Sequence, residues 1–221
     1  MNDDWIARWN EGATGWRYPE ADQELESDFQ RLRQTFQLPG GAEAFVPLCG
    51  DSWAVRYLYD QSLSVTGLDV APRALELLRT CRFPEVQFER RREGACEVYS
   101  APRVRLIEGD IFALETACPF HFIYDRAALV ALPPSIRQQY ASLLVAQLAR
   151  NGVLYLVSYE YEATEQTSAP YSVPRLESLR LFAQLEEVDY RAEQLPVIPE
   201  SMRMQAKTPP LRSVSIFCKR A

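Results

Sequence analysis

One histidine, His121, is present in 221 residues, and the five cysteines, Cys49, Cys81, Cys96, Cys118 and Cys218, are odd in number and form no C-x-x-C pair. Neither a structural zinc nor a disulfide framework is expected, because each needs clustered or paired ligands. No apolar run approaches the length of a membrane span. The first residues, Met1 to Asn10, hold acids and tryptophans rather than a basic segment leading into an apolar stretch. The reading is a soluble cytoplasmic chain. Blocks of five like charges are absent, with only short clusters such as Arg90-Arg91-Arg92. The 24 basic and 30 acidic residues leave a net charge of −6, so neither a nucleic acid nor a membrane is expected as partner. Internal repeats and low-complexity linkers are missing too.

What is present suits one sizeable core: 47% of the residues are hydrophobic, and a single domain over 1–221 is the economical reading, with monomer as the default. Residues 1–40 read as a helical cap. Trp5, Ile6 and Trp9 share one helical spacing, and Leu25, Phe29, Leu32 and Phe36 share another, with an interruption from Glu11 to Asp22 (Gly12, Gly15, Pro19) that reads as a mobile loop. From 41 onward, strand and helix signals alternate. Strands are expected at 44–48, 63–68, 103–107, 120–124 and 153–158, and helices at 52–60, from Pro72 to about Cys81, and at 135–150. Such alternation predicts an α/β fold with a parallel sheet covered by helices on both faces. A hairpin insertion is expected at 87–100, turning at Glu93-Gly94, and the tail (185–190 and 213–218) is expected to add an antiparallel edge.

Ligands of open α/β sheets sit at the carboxyl ends of the strands, and four such ends carry distinctive residues. Val46-Pro47-Leu48-Cys49-Gly50 closes the first strand; its single glycine fits either a close backbone approach to a ligand or a tight turn. Asp69 follows Leu48 by 21 residues, near the spacing at which an acid meets the hydroxyls of a nucleotide ribose, though it can also serve the start of the next helix. Glu108-Gly109-Asp110-Ile111-Phe112 offers an acid and a backbone N–H to the amine and ring nitrogen of an adenine, or else forms an Asx turn with Phe112 packed beneath it. Asp125-Arg126, amid apolar residues, is costly to bury unless it serves a ligand or forms a structural bridge.

Taken together these segments resemble the thiopurine S-methyltransferases. The matching residues are Val46-Pro47-Leu48-Cys49-Gly50, Gly67-x-Asp69, Gly109-Asp110-Ile111-Phe112, Tyr124-Asp125-Arg126-Ala127-Ala128-Leu129-Val130-Ala131-Leu132-Pro133, Ser158-Tyr159-Glu160-Tyr161 and Ala169-Pro170-Tyr171-Ser172-Val173-Pro174, with a similar Trp5-x-x-x-Trp9-x-x-Gly12 start. The resemblance implies a Rossmann-like class I methyltransferase with a mostly parallel seven-stranded sheet and S-adenosylmethionine as cofactor. It implies that Trp9 and Leu48 contact the cofactor, Asp69 its ribose, and Asp110 with Ile111 its adenine. Arg126 would lie near cofactor and acceptor as the candidate catalytic residue, Trp16 and Tyr171 would form an aromatic lid on the substrate side, and Arg203 would supply a positive charge there. The chain departs from the family at Asp51, where Lys is usual, at Asp69, where Glu is usual, at Ser168-Ala169-Pro170-Tyr171 in place of Gly-Pro-Pro-Phe, and at Arg150-Asn151-Gly152 in place of Pro-Gly-Gly.

The implied reaction is an in-line displacement by the sulfur of a small thiol, a thiopurine or another aromatic thiol, or by a selenium or tellurium compound. Both partners are reactive, so alignment and exclusion of water carry the catalysis. No strong general base is required, and His121 reads as structural. Three rivals remain: a nicotinamide-dependent oxidoreductase, which would want three glycines where only Gly50 stands; a non-catalytic S-adenosylmethionine-binding module; and a methyltransferase for another small acceptor.

Overall fold

The computed structural model describes residues 2–17, 23–114, 119–165 and 168–220. Met1, Pro19, Asp22 and Cys118, named above, lie outside them. The chain divides into two compact units, Met1–His121 and Phe122–Ala221.

The first unit runs α1 (Asn2–Glu11), α2 (Gln23–Thr35), β1 (Glu43–Val46), α3 (Trp53–Asp60), β2 (Ser64–Asp69), α4 (Pro72–Leu77), β3 (Glu89–Glu93), β4 (Cys96–Ala101) and β5 (Val104–Glu108). Leu25, Phe29 and Leu32 recur at helical spacing and give α2 its buried face. Ser52 starts α3 by accepting the Ala54 N–H on its hydroxyl at 3.1 Å. Pro72, with no N–H to waste, opens α4, which continues to Arg82 as a wider π-type turn. The strand order is β3-β4-β5-β2-β1. β2 is flanked by parallel partners on both edges and is buried from Val65 to Asp69, so that even its polar Thr66 and Asp69 are taken out of solvent. That pairing sets Val46 beside Gly67 and Asp69 beside Glu108, so the carboxyl ends of β1, β2 and β5 lie side by side.

Residues 89–101 form an antiparallel hairpin turned at Gly94, and β4 pairs with β5 from Ala101↔Val104 to Glu97↔Glu108. The hairpin thus pairs with β5, and among the described residues the strands number nine where seven are expected. Its outer strand, Glu-Arg-Arg-Arg-Glu, is exposed almost throughout, a charged edge that discourages pairing with another chain.

In the second unit β6 (Phe120–Arg126), which begins in the last two residues of the first, is followed by α5 (Pro134–Gln147), β7 (Leu148–Glu160), α6 (Arg175–Leu181), β8 (Glu186–Gln194) and β9 (Leu211–Cys218), in the strand order β6-β7-β9-β8. The tail makes the antiparallel edge expected of it: β9 pairs with both β7 and β8. The helix expected to reach 150 ends at Gln147, where the Lys219 ammonium donates to the Val145 and Leu148 carbonyls, both at 2.8 Å. Residues 150–152 belong to β7, because the Asn151 N–H meets the Lys219 carbonyl and the Lys219 N–H meets that of Gly152, extending the ladder with β9. Among the described residues no helix is long and apolar enough to cross a membrane, and no group of three or more His, Cys, Asp or Glu is placed to hold a metal ion.

Candidate active site

Asp69 is the junction of the first unit. One carboxylate oxygen accepts the Gly50 N–H and the other the Ala71 N–H, each at 2.8 Å, while its backbone carbonyl accepts the Gly109 N–H at 3.0 Å. One residue therefore ties the turns after β1 and β5 and the entry to α4 to the end of β2. The side chain is buried. Burial pushes its pKa up to about 6, against the backbone N–H bonds of Ala71, Gly50 and Val70, which favour the ionised form. The Cys49 thiol, also buried, is driven well above its ordinary value by burial and by the Asp69 charge.

The turn after β1 is tightly coiled. Leu48 takes a left-handed backbone conformation at φ +46°, costly for a branched side chain, and Gly50 follows at φ +54°. Gly50 has a second reason to lack a side chain: a Cβ there would stand 2.8 Å from the Trp9 ring. Trp9, buried on Ala71 and Ala74 with Ile6, Trp16 and Leu77 around it, brings α1 down onto the ends of β1 and β2. Trp16 meets Trp9 edge-on at 6.0 Å and Trp5 at 5.1 Å between ring centres.

Two further contacts hold the N-terminal segment in place. The Arg17 guanidinium pairs with the Asp51 carboxylate, its Nε donating at 3.0 and 3.1 Å to the two oxygens and a terminal nitrogen closing on Oδ2. Asp51 is buried, and Arg82 donates to its backbone carbonyl at 3.2 Å. The Asn2 side-chain amide donates to Asp110 Oδ2 at 2.8 Å, while Asp110 Oδ1 accepts the Phe112 N–H at 2.9 Å and so starts the short turn that buries Ile111. Of the two open readings of Asp110, the structure shows the Asx turn, and the outer oxygen of Asp110 is taken by the Asn2 amide.

In the second unit Asp125 is fully buried at the end of β6. It accepts the Leu129 N–H at 3.1 Å and the Tyr140 hydroxyl at 2.7 Å, and burial raises its pKa to about 6. Burial and the Asp125 charge in turn push the Tyr140 phenol well above its ordinary value. Arg126 is partly exposed, and Ala127 after it is left-handed at φ +65°. The Tyr171 N–H donates to the Val130 carbonyl at 2.7 Å, joining the loop that carries it to the segment after Arg126. Arg203 points outward, with 67% of its side chain exposed and Glu200 3.8 Å away.

The structure thus gathers Trp9, Trp16, Leu48, Asp69, Asp110 and Ile111 in the first unit, and places Arg126, Tyr171 and Arg203 in the second. The sequence pattern leaves Asn2, Arg17, Arg137 and Tyr140 unnamed as partners. For Arg137 a signal exists, since it falls in helical register with Tyr140, Ala141 and Leu144 on the buried side of α5.

A family model described as thiopurine S-methyltransferase matches residues 1–212. A thiopurine S-methyltransferase of Pseudomonas syringae pv. syringae is 34% identical over 175 residues, covering 78% of this chain and 77% of that protein. Among solved structures, the 1,6-didemethyltoxoflavin-N1-methyltransferase of Burkholderia thailandensis, with bound 1,6-didemethyltoxoflavin and S-adenosylhomocysteine, aligns at a TM-score of 0.67 and 17% identity over 100% of this chain and 87% of its own. The N-methyltransferase NodS of Bradyrhizobium japonicum, in complex with S-adenosylhomocysteine, aligns at 0.64 and 16% over 93% and 92%. At those identities the likeness establishes the Rossmann-like class I fold.

Proposed function

The chain belongs to the thiopurine S-methyltransferase family and is an S-adenosylmethionine-dependent methyltransferase, and from that premise we propose that its acceptor is the sulfur of a small thiol, aromatic or heterocyclic, with selenium and tellurium compounds as chemical analogues. S-adenosylmethionine supplies a methyl group on a sulfonium sulfur, which a thiolate takes in one displacement, its proton going to solvent and S-adenosylhomocysteine remaining.

The donor set fits that cofactor. Asp69 accepts backbone N–H groups from Gly50, Ala71 and Val70, and of the roughly four lone-pair sites of the carboxylate one is left for a ribose hydroxyl. Asp110 Oδ2 already accepts an –NH2 from Asn2, the bond an adenine amine would make. Trp9 on Gly50 adds an aromatic wall suited to a cation. In this reading Trp9, Leu48, Asp69, Asp110 and Ile111 hold the cofactor, Trp16, Tyr171 and Arg203 serve the acceptor side, and Arg126 favours the acceptor's thiolate form. The chain's work is alignment and exclusion of water. The free thiols of Cys49, Cys81, Cys96 and Cys218 suit a reducing compartment, which supports the cytoplasm as its place of action.

The observation that carries the reading is the pair of acids at and just past neighbouring strand ends, Asp69 and Asp110, the first with a lone pair to spare and the second with a side-chain partner that a ligand donor can replace. Purified protein given methyl-labelled S-adenosylmethionine is expected to label thiophenol and 6-mercaptopurine. Arg126→Ala should lower turnover more than cofactor affinity. Labelling of no thiol, thiopurine or selenol defeats the proposed acceptor.

A further inference from the structure

We propose that Arg137 is a positioning residue for the acceptor-side loop 168–174: from inside α5 its guanidinium spans the Leu132 carbonyl, the Ser172 carbonyl and Glu177, and so sets where Tyr171 stands. The inference rests on the reading that this loop borders the acceptor. Arg137 is 1% exposed. Its Nε donates to the Leu132 carbonyl at 2.9 Å, and Nη1 donates to the Ser172 carbonyl at 3.2 Å and to Glu177 Oε1 at 2.8 Å. The guanidinium carbon lies 5.8 Å from the centre of the Tyr171 ring.

Those bonds join three segments: the turn after Arg126, the loop that carries Tyr171, and the start of α6. The loop is further fastened by the Tyr171 N–H on the Val130 carbonyl and the Val173 N–H on the Tyr159 carbonyl, both at 2.7 Å, and by the Tyr161 N–H on the Ser172 hydroxyl at 3.0 Å. Arg137 is the charged member of that set, and it alone grips the turn, the loop and α6 together. Its Nη2 has no partner among the described residues. A buried guanidinium with a donor to spare is a poor device for stability alone, because an apolar side chain of similar volume serves as well or better. Its planar fork can hold two carbonyls and a carboxylate in fixed directions, which an ammonium cannot. The arrangement is that of a part kept for geometry.

The test compares wild type, Arg137→Lys and Glu177→Gln as full-length chains. Methyl transfer to thiophenol and to 2-naphthalenethiol is measured alongside cofactor affinity and amide hydrogen exchange. Arg137→Lys is expected to raise the acceptor KM by about tenfold, to change the preference between the two thiols, to leave cofactor affinity within about twofold, and to speed exchange of 169–174 by about tenfold with β7 and β9 unchanged. Glu177→Gln keeps both carbonyl bonds and should show the same pattern more weakly, and it decides the matter if Arg137→Lys does not fold. Unchanged loop exchange, or a parallel fall in acceptor and cofactor affinity with faster exchange throughout, overturns the proposal. If wild type labels no thiol, the acceptor reading fails separately. Exchange accelerated only in 169–174 then still upholds Arg137 as the loop's holder, and its absence still refutes it.

Discussion

The Gly50 N–H meets Asp69 Oδ2 at 2.8 Å, and through that bond the acid at the end of β2 fixes the turn after β1 before any ligand is considered. Asp69 is therefore structural, apart from the ribose contact proposed for it. Asp69→Asn replaces one acceptor oxygen by an amide that faces a backbone donor, leaving a buried N–H unmatched. The variant is expected to lose about 1–3 kcal/mol of stability in denaturant unfolding, together with cofactor affinity in calorimetry. Loss of affinity at unchanged stability would show that the Gly50 bond contributes little.

The two buried acids give opposite pH slopes for folding and for binding. Burial raises Asp69 and Asp125 from 3.8 to about 6. Between about pH 4 and 6 the folded chain then keeps protons that the unfolded chain has lost, so their contribution makes stability fall as pH rises through that window and level off above it. Cofactor affinity should move the other way, rising through about pH 6 as Asp69 ionises and becomes the better acceptor for a ribose hydroxyl. Melting temperatures of wild type and Asp125→Asn across pH 4 to 8 check the first slope, which the variant should flatten. Calorimetry over the same range checks the second.

Arg17 and Asp51 form the ion pair that fastens residues 13–17 to the turn after β1. Asp51 is buried but the Arg17 side chain keeps 38% of its surface, so solvent screens the pair and a double-mutant cycle is expected to give a coupling of about 1 kcal/mol. Asp51→Lys, which installs the family's usual residue, would face Arg17 and Arg82 with a like charge. The expected result is accelerated amide exchange in 2–17, with the parallel strands protected as before.

Much of this architecture is legible in the sequence because it is local. The strand signal at 63–68 falls on β2, and Pro72 marks the helix it opens. The strand count is legible only in part, since a hairpin at 87–100 can stand apart from a sheet or extend it, and the β4–β5 ladder decides that by pairing Ala101 with Val104 across a short turn. α6 escapes notice because seven residues carry too little periodicity. At the candidate site, residue type and spacing single out the acids at the strand ends, yet not their bonds. Asn2 and Asp110 are 108 positions apart, and Arg17 gains meaning only from Asp51. Such pairings are products of the completed fold, and no periodicity announces them.

The Asn2 contact leads to the last expectation. Its amide donates to the same Asp110 oxygen that an adenine amine would use, and one lone pair in that direction cannot serve both at full strength. With the adenine placed on Asp110 as proposed, cofactor entry would break an existing hydrogen bond to a carboxylate, a cost set against the new bond; a charged acceptor makes such bonds worth about 1.5–3 kcal/mol when buried and less where, as here, the pair is partly exposed. Asn2→Ala removes the competitor without touching Asp110, so cofactor affinity should rise by a factor of about 3 to 10. Asn2→Asp sets a second carboxylate beside the first, and the like-charge repulsion should free residues 2–11. Calorimetric titration with S-adenosylhomocysteine distinguishes the cases. Weaker binding by Asn2→Ala would mean that Asn2 supports the cofactor rather than standing in its place.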